Sequence, residues 1–317
     1  MHVYLLTSVF IFLIGAFGIF GNVNIIIAIY RLKPQVKSSI LVGLLAFADL
    51  FCILSEWQNA FRTLFNVSSY RSECFWWISP YLIMTQMESF LLVALAFDRF
   101  FAFTFPFKYI AIRTSKYIFL CCLPGLLTTA VLITLGIRSL DNEPIGACNP
   151  PLAYTPNISK IWNDLGVLTS LLTLTLFVAA LVCLCVKRWK YRHATHAQYH
   201  ILETQKKLSF SCIVMLLVYL CTGFSIQIAL TVSSRLDLSK DTYEFIQTTM
   251  VIPAMLAYSQ SYYVYFACSA LYREAFKMQL SAIMPNNLRK HIFARKSATV
   301  SVTSAQLEFN RVNRGYK

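Results

Sequence analysis

The sequence predicts an all-α integral membrane protein, a seven-transmembrane helix bundle followed by a C-terminal amphipathic helix at the membrane interface. Three observations lead there. Of 317 residues, 57% are hydrophobic and 13% charged, too apolar for a soluble domain of this length. Uncharged runs at 3–30, 117–137, 165–186, 208–234 and 245–272 each reach the roughly 20 residues that carry a helix across ~30 Å of hydrocarbon. Two more, 39–61 and 75–97, are as long but enclose Asp49, Glu56 and Glu88. Third, the basic residues are lopsided. With an outside N-terminus, the inner segments 31–38, 99–116, 187–207 and 273–317 hold 22 of the 28 Lys and Arg. The net charge of +14 is therefore a topological signal, with an inner-leaflet contribution, and predicts no nucleic-acid partner.

In chain order the spans fall at roughly 3–30, 39–61, 75–99, 117–137, 162–186, 207–233 and 243–268. The first lacks the short core and small-residue cleavage site of a signal peptide and reads as retained helix. Both N-x-[ST] sequons, at Asn66 and Asn157, fall in predicted outer loops, where sugar would be added. Eight of ten cysteines lie in membrane runs; only Cys74 and Cys148 lie outside, where an oxidising compartment favours a disulfide. The alternative is two unrelated thiols. The longest outer loop, 138–160, carries Pro144, Pro150, Pro151 and Pro156. After the last span, 269–284 places Leu271, Ala275, Phe276, Leu280, Ile283 and Met284 at helical spacing with Arg273 and Lys277 between, as in a helix lying on the inner surface. Residues 1–284 thus form one membrane domain without internal repeat, and 285–317, rich in Ser, Asn and Arg, reads as a disordered cytoplasmic tail. The lipid bilayer is the first partner implied, at the plasma membrane with the C-terminus inside.

At the end of the third span stand Asp98 and Arg99. Arg99 follows Cys74 by 25 residues, about 37 Å of helix, one crossing with its ends. Cys74 then marks the outer end of that span and Asp98-Arg99 the inner end. A plain stop-transfer charge pair would satisfy the same pattern.

The motifs together resemble the rhodopsin-like G-protein-coupled receptors, and among them the nematode serpentine chemoreceptors of class SX. The carrying residues are Gly21-Asn22, "LAFAD" at 45–49, Cys74, "DRF" at 98–100 followed by "PFKY" at 106–109, Cys148, and "SYYVYFACSALYREAF" at 261–276. The stretch "GLLAFADLFCILSEWQNAFR", 43–62, points to class SX in particular. The resemblance covers roughly 1–280. It implies a receptor, probed by an unknown extracellular ligand, whose Arg99 meets a heterotrimeric G protein when the sixth span moves outward. Asp98 would restrain Arg99 at rest, and Tyr265 matches the last-span tyrosine. It implies no enzyme activity and no cofactor. Phe100 replaces the usual Tyr, Ser261-Tyr262 replaces the last-span Asn-Pro, and "VYLCTGFSI" at 218–226 lacks the sixth-span Trp and Pro. These departures fit a divergent chemosensory branch.

The acids inside the spans are expensive there, by about 2.5–3.5 kcal/mol on insertion scales, and so are expected to face the bundle interior. Asp49 lies eleven residues from Ser38, Glu88 eleven before Arg99, and Asn22 nine before Arg31. Asp49 and Glu88 thus fall at one depth with Asn22 in the same layer, which predicts a buried polar layer of Asn22, Asp49, Glu88 and Ser261; the alternative is that one acid faces elsewhere, hydrogen-bonded and neutral. Two carboxylates so close would share a proton or a sodium ion, and Asp49 matches the sodium-site aspartate of the superfamily. Glu56, two turns beyond Asp49, is expected in a ligand pocket with Tyr81, Thr85, Gln227 and Tyr258. His193, His196 and His200 share a helix face without an acid or Cys nearby, so no metal site is expected. The competing functions are a neuropeptide or amine receptor, and a channel or transporter using Asp49 and Glu88.

Overall fold

The computed structural model describes residues 2–31, 36–65, 67, 69–190, 214, 217–236 and 238–283. The expected spans fall on helices α1 (His2–Arg31), α2 (Lys37–Leu64), α3 (Arg71–Thr104), α5 (Thr114–Arg138) and α7 (Pro156–Lys190), with short α4 (Pro106–Ala111) and α6 (Pro150–Ala153) between them. Proline opens α4, α6 and α7, where its fixed φ suits the first turn and its missing N–H costs nothing. Six helices among the described residues are long and apolar enough to cross a membrane. Their outward faces are apolar as well, with Leu13, Phe17, Leu127 and Leu168 all more than half exposed.

Two stretches depart from the expected plain helices. Residues 217–235 carry a π-helical turn at Leu220–Phe224 before α8 (Ser225–Arg235). No proline causes it. The hydroxyls of Thr222 and Ser225 bond back to the carbonyls of Val218 and Cys221, the kind of side-chain insertion that bends helices. A Cβ on Gly223 would come 2.9 Å from the Tyr219 ring, so that turn depends on glycine.

The region expected as one helix over 243–268 forms three: α9 (Lys240–Thr249), α10 (Val251–Ser259) and α11 (Ser261–Cys268). Pro253 accounts for the first interruption, because it cannot donate to the carbonyl of Thr249 and its ring crowds that group. At Gln260 the backbone stays helical, with φ −76° and ψ −28°, so the second is a bend.

Helix α3 is the axis of the bundle, touching α2, α5, α6 and α7. Helix α1 packs on α2, α10 and α11. It does so closely: a Cβ on Gly18 would meet Ser259 Oγ at 2.3 Å, and one on Gly21 would meet Tyr262 Cβ at 2.7 Å. The buried side chains fall into two clusters. One surrounds Cys74, Phe75, Tyr81 and Cys148. The other surrounds Leu91, Leu95, Tyr262 and Tyr265.

The last helix, α12 (Ala270–Ile283), belongs to the second cluster. The face it turns inward is Tyr272, Ala275, Phe276 and Gln279, which differs from the purely apolar stripe expected from the sequence. Tyr272 stacks near Tyr265 at 4.8 Å between centroids, Phe276 near Tyr262 at 4.4 Å, and Gln279 donates to the Asn24 carbonyl. Those aromatic contacts outweigh what Leu280 could gain by facing the bundle.

Candidate functional site

At one end of α3, Cys74 is bonded to Cys148 with Cα atoms 5.5 Å apart. The segment it captures, 139–155, is held by more than the disulfide. Ser69–Tyr70 and Pro144–Ile145 pair as short antiparallel strands β1 and β2. Arg71, buried at the first turn of α3, meets Asp141 at 2.5 Å and Glu143 at 3.0 Å and donates to the Leu152 carbonyl. Tyr154 packs edge-on against Phe75, and burial pushes its hydroxyl above the usual tyrosine range. Asn149, next to Cys148, caps α6 by accepting from the Leu152 N–H. The Arg71 clamp was not readable in advance, since its partners lie about 70 residues away with no periodic signal between.

The clamp places Asn149, Pro150 and Pro151 on the wall of a cavity with about 760 Å³ of atom-free space. Glu56, Tyr81, Thr85, Gln227 and Tyr258, the five residues expected to line a pocket, all lie on that same wall. Tyr81 donates its hydroxyl to Glu56 Oε1, which fixes that carboxyl against α3. Cys52 and Thr85 approach to 3.7 Å behind it. Beside this cavity lies a smaller, polar one of about 360 Å³, sharing Glu56, Asn149 and Val251 and reaching Asn59 and Thr248. Asn59 is buried beside Glu56, with neither amide atom in a well-formed hydrogen bond.

The four residues of the expected polar layer are spread between these spaces. Asp49 is buried, with Glu88 close enough for their charges to repel. Glu88 itself, half-buried, lies on the wall of the large cavity. Asn22 is buried and donates to the Tyr258 carbonyl at 2.9 Å. Ser261 lines a second cavity of about 600 Å³ that reaches Arg99 and Tyr265. Leu92 and Tyr219 lie on the walls of both cavities and stand between them.

At the other end of α3, Arg99 donates to Ser38 Oγ at 2.7 Å. Asp98, buried, accepts from the Tyr109 hydroxyl at 2.9 Å. Burial first, and then the Asp98 charge, push that hydroxyl above the usual tyrosine range, so it remains a donor. Phe100 is half-buried, its carbonyl accepting from Thr104. Lys37, which the sequence showed only as one of several inner cations, is buried here. It donates to the Tyr109 carbonyl and lies 4.6 Å from the Tyr109 ring centre and 5.5 Å from that of Tyr117. Asp98 thus faces two cations, Arg99 and Lys37.

Asn157 is exposed on the first turn of α7, near the disulfide end. Asn66, the three histidines at 193, 196 and 200, and the tail 285–317 lie outside the described residues.

The family model described as serpentine type 7TM GPCR chemoreceptor Srsx matches residues 15–280. No curated protein matches the chain. The chain belongs to the Srsx chemoreceptor family, and its apolar helices make it a multi-pass membrane protein.

Proposed function

We propose that this member of the Srsx family is a plasma-membrane chemosensory receptor that passes the binding of a small external ligand to a heterotrimeric G protein. The observation that carries this reading is the stacking of two cavities along α3. One is covered by the disulfide-held segment and the other opens on Arg99, with Leu92 and Tyr219 between them. A ligand that fits the first space better in one arrangement of Tyr219 shifts the population of the second, which is all that transduction requires. The π-helical turn next to Tyr219 supplies a ready hinge where relatives of rhodopsin use proline.

In this reading α9, α10 and α11 together make the seventh crossing, the N-terminus and Cys74 face outside, and α12 lies along the inner surface. Asn66 and Asn157 carry sugar. Asp98 and Tyr109 restrain the Arg99 region at rest, and Arg99, Phe100 and Tyr265 meet the G protein on activation. Asp49 and Glu88 share a proton or hold a sodium ion. Neuropeptide or amine receptors use the same architecture.

A channel or transporter is the second reading, favoured by the succession of cavities past buried acids. Reconstituted receptor decides between them. Ligand-stimulated nucleotide exchange on added G protein, lost in Arg99→Ala while surface expression stays within about twofold, supports the receptor. Ion flux in vesicles without G protein, equal in both forms, contradicts it.

A further inference from the structure

We infer that the large cavity takes a small organic cation, an amine whose ammonium group seats on Glu88 and whose carbon skeleton lies among aromatic rings. The inference rests on the receptor reading, which makes this cavity the ligand site.

The wall is one-sided in charge. Its residues include two carboxylates, Glu56 and Glu88, and no Lys, Arg or His. Glu56 is already engaged by Tyr81. Glu88 has no hydrogen-bond partner among the described residues, and the nearby Asp49 adds to the negative potential it feels. In the ligand-free receptor that carboxyl shares its proton with Asp49 or holds a sodium ion, and the ammonium takes the place of either, because an unpaired carboxylate in so apolar a setting is costly.

The neutral polar atoms on the wall lean the same way. Gln227 and Gln247 each add a buried carbonyl oxygen, Oε1, without a hydrogen-bond partner, and Gln247 is only 1% exposed. Among the fully buried side-chain atoms of the wall, Asn149 Nδ2 is the donor left in the same state. A ligand rich in N–H donors satisfies that set, whereas an anion would face two carboxylates, and a hydrocarbon would leave the amide oxygens unpaired in a low-dielectric space. The rings of Trp162, Tyr219 and Tyr258 line the same cavity. Aromatic faces attract ammonium groups and cover their alkyl chains, so charge and apolar bulk are both accommodated.

Three probes of equal length separate the head groups: hexylamine, hexan-1-ol and hexanoate, titrated into the purified full-length receptor in lipid nanodiscs by calorimetry. The expected order is hexylamine tightest, by more than about tenfold over hexan-1-ol, with hexanoate weakest. Glu88→Gln is expected to erase the preference for the amine while leaving hexan-1-ol unchanged. Gln247→Leu is expected to weaken hexylamine by about two- to fivefold. If Glu88→Gln fails to fold, the order in the unaltered protein decides alone. No saturable hexylamine binding, hexan-1-ol or hexanoate binding as tightly, or an intact amine preference in Glu88→Gln overturns the inference. The two levels fail separately. Hexan-1-ol binding tightest and driving Arg99-dependent nucleotide exchange would sink the cation and keep the receptor. Hexylamine binding as expected but driving no exchange would keep the cation site and sink the receptor.

Discussion

At one end of α3, Cys74 is covalently joined to Cys148 and buried Arg71 is clamped between Asp141 and Glu143. At the other, Asp98 and Arg99 meet Tyr109 and Ser38 through hydrogen bonds. Closing a loop of 74 residues covalently stabilises a fold by roughly 4 kcal/mol. A hydrogen bond contributes about 1 kcal/mol, or about 1.5–3 when one partner is charged. A ligand's preference for one conformation is of order 1–3 kcal/mol. It can therefore exchange the bonds at the Arg99 end but not those at the Cys74 end. In the proposed receptor, one helix would carry both a fixed binding frame and a movable switch.

The largest effects are expected at the Cys74 end. Cys148→Ser should cost about 4 kcal/mol, read as a drop in the melting temperature of purified receptor and in the fraction reaching the cell surface. Next, Arg71→Met should cost about 2 kcal/mol, because it removes the donor to the Leu152 carbonyl and the ion pairs to Asp141 and Glu143. Arg71→Lys should restore less than half of that, since an ammonium cannot serve three acceptors in one plane.

Changes at the weak end should sharpen the contrast by moving signalling instead of stability. Tyr109→Phe removes a donor to the Asp98 carboxylate, worth about 1.5 kcal/mol at the low end for a charged partner, and should raise ligand-free nucleotide exchange about tenfold. Ser38→Ala, which takes one acceptor from Arg99, should raise it by about twofold.

What was legible in the sequence follows the same division between periodic and long-range signals. The uncharged runs located the helices because bilayer thickness dictates their length. Cys74 and Cys148 were found by asking which cysteines lie outside the membrane runs. Counting in helical turns from Asp49, Glu88 and Ser261 reached Glu56, Tyr81, Thr85 and Tyr258, which line one cavity, because helix periodicity fixes which side chains share a face; the same count reached Met84, which does not line it. The Arg71 clamp, the burial of Lys37 and the small β1–β2 pair were not legible, since each joins short segments far apart in sequence. The π-helical turn was hidden for another reason: it arises from Gly223 and hydroxyl back-bonding, without the proline that usually announces a bend. Pro253 could have announced the break after Thr249, standing as it does inside the run 245–272.

The central claim is that one end of the bundle stays fixed while the other moves. Nitroxide pairs at the exposed positions Phe65 and Leu236 for the Cys74 end, and at Phe107 and Leu217 for the Arg99 end, report the two distances directly by pulsed electron resonance. On adding nucleotide-free heterotrimeric G protein, the Phe107–Leu217 distance should change by more than about 2 Å while the Phe65–Leu236 distance stays within about 1 Å. Equal displacement at both ends, or none at the Arg99 end, would contradict it.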